Sequence, residues 1–164
     1  MSAGYAILVS IGVCALAAAL EGGCAGRNVK SFFSTLKFPP YSAPLWVWSI
    51  IGGSYYLIFG FVTYRLLRLD SSAIRSVALS LMLFMMTMNA LTNYIIFRAR
   101  NLRLSFIVGS LFPVMDLILF ICLVQLDSLA AWSLLPYLIY RIYAVWWGYR
   151  LWEFNRDVHN EMTN

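Results

Sequence analysis

The sequence predicts an all-α integral membrane protein, a bundle of five transmembrane helices, on three observations. It is 62% hydrophobic and only 12% charged, with a mean hydropathy of +0.76, whereas a soluble domain carries about a quarter charged residues. Its apolar residues fall into runs at 5–20, 45–64, 77–97, 104–126 and 129–152, each reaching or approaching the roughly 20 residues that span a bilayer. These runs are spread along the 164 residues with no gap longer than loop one, which leaves a single membrane domain and no room for a soluble one. The basic residues are also asymmetric. Arg27, Lys30, Lys37, Arg98, Arg100, Arg103, Arg150 and Arg156 fall on the side of loop one, loop three and the C-terminus, with Arg65, Arg68 and Arg75 opposite. Lys/Arg bias at helix ends sets orientation, so the C-terminus and loop one are expected in the cytoplasm and the N-terminus outside. The formal net charge of +5 is therefore assigned to topology and lipid headgroups, and nucleic acid is not an expected partner.

The first run, 5–20, has no Lys or Arg before it, which distinguishes it from a secretory signal. Its Gly12, Cys14, Ala15 and Ala17 permit close helix approach, and Glu21-Gly22-Gly23 is expected to end it. Loop one, 21–44, is the longest connection, and connections of that length tend to be functional or disordered. Within it Phe32, Phe33 and Leu36 share one side of a short helical turn, either a lid over a membrane pocket or an interfacial helix on headgroups. Pro39, Pro40 and Pro44 then stiffen the chain into the second run, where Trp46 and Trp48 are placed at headgroup level.

The second run is interrupted by Gly52-Gly53-Ser54 and then presents Tyr55 and Tyr56; the glycines make room for a ligand or for a neighbouring helix. In the third, Asn89, Thr92 and Asn93 form one stripe among Met82, Met85, Met86 and Met88. Buried amides need partners, so the stripe faces protein or a polar ligand. The fourth carries Asp116 and the fifth Arg141, both near mid-span, and opposite charges at one depth predict an intramembrane ion pair. The fifth run is the most unusual. Tyr137, Tyr140, Arg141, Ala144, Trp147 and Gly148 fall on one helical face, and aromatic and ionic groups in lipid territory need an interior to point into. That face is expected to line an intramembrane pocket, and the segment 153–164 after it to be a frayed polar tail. Cys14, Cys24 and Cys122 are widely separated, and with a lone histidine they form no metal or thiol-redox pattern.

Three segments carry a resemblance. Pro39-Pro40-Tyr41-Ser42-Ala43-Pro44-Leu45-Trp46-Val47, followed by Tyr55, resembles P-P-x-x-P-P-x-W-V. Asn89 to Phe97 resembles N-x-x-W-S-x-x-F-F, and Pro136-Tyr137-Leu138 with Tyr140, Tyr143, Ala144, Trp152 and Asn155 resembles P-Y-x-x-W-x-x-F-A with W-x-x-x-N. In combination the chain resembles the TspO/MBR family, the translocator proteins or tryptophan-rich sensory proteins. It departs from that pattern at Gly52 and Thr92, where the family has Trp, at Tyr140, and at Gly148, where the family has Asn.

The resemblance implies a five-helix bundle, commonly a homodimer, with a pocket beneath loop one for porphyrins, sterols and benzodiazepine-site ligands. No cofactor is required; porphyrin or haem enters as ligand. On this reading Tyr41, Trp46, Gly52, Tyr55, Asn89, Thr92, Asn93, Tyr137, Tyr140, Arg141, Tyr143, Ala144 and Trp147 form the site. Stacked aromatic faces suit a flat tetrapyrrole, and Arg141 or Lys37 would meet its propionates. Leu135-Pro136-Tyr137 with Arg141 also fits a loose sterol pattern. The function expected is a receptor or carrier of a hydrophobic ligand. The alternatives are an enzyme or photo-degrader of bound porphyrin, for which no nucleophile–base pair or catalytic residue is identified, and a structural subunit of a larger membrane complex. A transporter of polar solutes would carry internal repeats, and none is found.

Overall fold

The computed structural model describes residues 1–161, with side chains as far as Arg156. All regular structure among them is helical: α1 Ala3–Ala25, α2 Val29–Thr35, α3 Leu45–Arg68, α4 Ala73–Phe97, α5 Leu102–Gly109, α6 Phe112–Leu126 and α7 Ser128–Glu161. Four segments are long and apolar enough to cross a membrane, namely α1, α3, α4 and the pair α5–α6 taken as Leu102–Leu126. The last helix, α7, is the longest at 34 residues and far less apolar, because tyrosine, arginine and tryptophan stud it throughout.

Local chemistry sets the boundaries. The Pro44 backbone is extended and α3 begins at the next residue. Ser72 caps α4, its hydroxyl accepting from the Arg75 N–H at 3.2 Å, so that helix begins four residues before the apolar run at 77. Asn101 caps α5 in the same way through the Leu104 N–H at 2.9 Å. The predicted fourth helix is in fact two. Pro113 lies in the first turn of α6, where its missing N–H is tolerated, while the Leu111 N–H reaches back only to Val108.

Two expectations change here. Glu21-Gly22-Gly23 does not end α1, which runs on to Ala25 and stops at Gly26, whose φ of +76° suits glycine. The segment expected as a frayed polar tail continues α7 through Glu161, and within it Asn155 is hydrogen-bonded to the Lys37 backbone of loop one; residues 162–164 lie outside the described residues.

The helices follow one another round a ring. α1 packs on α3 and α4, α3 on α7, α7 on α5 and α6, and α4 closes the circuit against α5 and α6. Phe59, Leu66, Met82, Met85, Phe112, Leu119, Leu123 and Leu134 are fully buried along the seams, where packing and not water exclusion holds helices together in lipid. Leu8, Ile11, Leu16, Leu57, Val114, Ile121, Ile139 and Ile142 point outward as a lipid-facing surface.

Candidate ligand-binding site

Inside the ring and beneath α2 lies a cavity of about 420 Å³, within the range of small-molecule sites. Each wall follows from a residue pattern. From α7 come Tyr137, Tyr140, Arg141, Ala144, Trp147 and Gly148, the offsets of one helical face. α3 supplies Trp48, Gly52 and Tyr55, at offsets of four and three, and α4 supplies Asn89, Thr92 and Asn93. Phe33 and Leu36 of loop one roof it, with Phe33 packed on Phe97 and Phe38 at centroid distances of 5.6 Å. A Cβ built on Gly52 meets nothing within 4 Å, so the missing side chain is open space and no neighbouring helix fills it.

The aromatic surface is continuous. Trp48 and Trp147 lie 4.5 Å apart, Trp48 stacks on Tyr143 at 6.2 Å, and Tyr55 lies 5.3 Å from Tyr137. Polar groups are few and placed. Arg141 Nε donates to Asp116 Oδ2 at 3.0 Å, and Asp116 is 0% exposed while Arg141 is 9% exposed. The same guanidinium stands 4.2 Å from the Phe112 ring and 4.7 Å from that of Tyr137, which shield it from lipid. Asp116 thus lies behind the wall while Arg141 forms part of it.

Loop one is tied down along α7. The Lys37 N–H donates to Asn155 Oδ1 and Asn155 Nδ2 returns to Lys37 O, both at 2.9 Å. Trp147 Nε1 donates to Ser42 Oγ at 3.0 Å. Tyr143 Oη donates to Tyr41 O at 3.0 Å and accepts from the Ala43 N–H at 3.3 Å.

Three of the residues expected at the site lie elsewhere. Tyr41 is 90% exposed at the tip of loop one, with φ +64°, and contributes only its carbonyl to Tyr143. Trp46 is 66% exposed because helical rotation from Tyr55 and Gly52 selects Trp48 and turns Trp46 outward. Tyr143 is not in the cavity wall but behind it, holding the loop. Lys37 likewise supplies only backbone.

Much of the wall was not anticipated, including its α5–α6 side, Leu102, Ser105, Phe106, Gly109 and Phe112; two of the unforeseen residues, Trp48 and Glu21, bear on its chemistry. Trp48, expected at the headgroups, was traceable from its register with Gly52 and Tyr55. Glu21 reaches in from the end of α1, where Asn89 Nδ2 donates to Oε2 and Asn93 Nδ2 to Oε1, each at 2.9 Å, and the Tyr56 hydroxyl also donates. Its signal was the unpartnered amide stripe of α4, which required an acceptor from another helix.

The TspO/MBR family model matches residues 10–153, nearly the whole chain. Comparison with curated proteins finds no match.

Proposed function

Because the chain belongs to the TspO/MBR family, we propose that it is a membrane receptor or carrier for a flat hydrophobic ligand, of tetrapyrrole or sterol type, held in the cavity beneath loop one. The observation that carries this reading is an empty volume of about 420 Å³ walled by aromatic faces and roofed by a short helix. Close-packed interiors leave few voids larger than a water molecule, and ring stacking contributes about 0.5–1.5 kcal/mol per aromatic pair beyond the area buried. Five spans with α7 as the fifth, a homodimer in the bilayer, and loop one with the C-terminus in the cytoplasm belong to the same proposal. The Lys/Arg asymmetry supports that orientation.

The test is titration of the detergent-solubilised protein with protoporphyrin and with its dimethyl ester while tryptophan emission is followed. Saturable quenching by either is expected, since Trp48 and Trp147 line the cavity. Quenching by neither, beyond an inner-filter control, overturns the proposal.

One observation favours the photo-degrading enzyme as a second reading. Trp48 and Trp147 form an indole pair in the wall, positioned as electron donors to an excited porphyrin. Illumination of the loaded protein would then give a new absorbance band that Trp147→Phe abolishes; a spectrum that only bleaches, equally in both proteins, rules this out.

A further inference from the structure

Where loop one meets the connection between α4 and α5, the fold gathers Arg27 and Lys30 from the first segment and Arg98, Arg100 and Arg103 from the second. The two segments are clamped to each other. Arg98 Nη2 donates to Gly23 O at 2.7 Å, and its Nε stands 3.2 Å from where a side chain on Gly26 would begin. The Arg100 guanidinium lies 5.6 Å from the ring of Phe32 in α2, and that ring is edge-on to Phe97 at 6.2 Å. All five cations are exposed, none lines the cavity, and no ion pair among the described residues includes any of them. Like charges gathered in this way repel one another, and a bound anion removes that repulsion.

Two further observations say what kind of anion fits. Arg100 has φ +50°, the left-handed conformation that glycine adopts without strain. What this strained position holds is a guanidinium on the rim between two loops. Below the rim the surface suits acyl chains. Leu91, Tyr94 and Arg98 follow one another at offsets of three and four along one exposed stripe of α4, and on α5 Arg103 stands one turn from the exposed Ile107. An arginine thus ends each lipid-facing stripe, where a phospholipid carries its phosphate.

We propose that loop one and residues 98–103 form a site for an anionic phospholipid with two phosphates in its headgroup, whose charges bridge the two segments and fasten the roof of the cavity from outside. Basic clusters at the cytoplasmic ends of spans hold such headgroups, and arginine meets phosphate through charge-assisted, often bidentate hydrogen bonds. A zwitterionic headgroup brings no net charge to the same cluster. The site lies outside the cavity wall and does not depend on what the cavity binds.

The test is native mass spectrometry of the protein released from nanodiscs of equal parts tetraoleoyl cardiolipin and dioleoyl phosphatidylcholine. Cardiolipin should be retained at least roughly tenfold over phosphatidylcholine, and Lys30→Gln with Arg103→Gln should cut that ratio by about tenfold or more. Neither side chain has a hydrogen bond or ion pair among the described residues to lose. Lys37→Gln removes one charge from the α7 side of loop one, away from the cluster, and should leave the ratio within about twofold. Arg100→Gly should lower retention by about fivefold with no loss of melting temperature, since glycine relieves the strain. Amide exchange across 29–36 should slow when cardiolipin replaces phosphatidylcholine in the nanodisc. Equal retention of the two lipids overturns the site, as does a loss on Lys37→Gln as large per charge as that of the double variant, which would be diffuse attraction alone. Exchange indifferent to cardiolipin overturns the bridge between the two segments.

Discussion

Asp116 and Arg141 each would be costly alone in the membrane, and their 3.0 Å contact makes either dependent on the other. Arg141→Met leaves a buried carboxylate uncompensated and should destabilise the protein by about 3–5 kcal/mol in detergent unfolding, whereas Asp116→Leu combined with Arg141→Met should recover most of that loss. Equal instability of the single and double variants would mean that the pair is not the origin of the effect. A second carboxylate acts outside the spans. Asp127, between α6 and α7, accepts from Arg65 Nε at 2.6 Å and from the N–H groups of Leu129 and Ala130 at 3.0 and 3.1 Å. Burial raises its pKa, but the Arg65 hydrogen bond and charge, with the backbone donors, outweigh that and hold it below the usual carboxylate value. A depressed carboxyl stabilises fully above its unfolded pKa of about 4 and loses that contribution as pH falls through the lower folded value. Stability should therefore fall on acidification below about pH 4, and Asp127→Asn should be less stable at pH 7 with a flatter acid limb. Parallel acid limbs for the two proteins would contradict this.

Among the elements, loop one depends most on a single neighbour, α7. Asn155 closes two hydrogen bonds on the Lys37 backbone, and Trp147 and Tyr143 fasten residues 41–43. Asn155→Ala should raise amide exchange across 29–44 by roughly tenfold, since a lost pair of bonds lowers local opening energy by about 1–2 kcal/mol; unchanged exchange would show that α2 is held by its Phe32 and Phe33 contacts alone. Much of this architecture was legible beforehand. The α7 face was visible as a helical repeat, the α4 stripe as amides needing partners, and the Asp116–Arg141 contact as matched depth. Trp48 was hidden because tryptophan at a span end has an ordinary interfacial explanation, and Glu21 because an acid followed by two glycines looks like a terminus. The break in helix four was signalled by Pro113 but masked by an unbroken apolar run. The helical tail was unreadable from polarity, and the Asn155 contact within it reaches a backbone 118 residues away in sequence.

For the molecule as a whole, the ring of helices leaves its centre open because Gly52 and Gly148 stand where larger side chains would reach inward. Gly52→Leu should fill that space while leaving stability within about 1 kcal/mol of wild type or slightly above it, because helix propensity improves, and should weaken ligand binding about tenfold. A destabilised Gly52→Leu protein would mean that the space is not truly empty. The most direct measurement is photolabelling of native membranes with a diazirine-bearing, uncharged porphyrin ester, followed by mapping of the adducts by mass spectrometry. Adducts are expected on Phe33, Trp48, Tyr140 and Trp147, suppressed by Gly52→Leu. Label spread over the lipid-facing Leu8, Ile11 and Leu16 of α1, indifferent to Gly52→Leu, would contradict a ligand site inside the bundle.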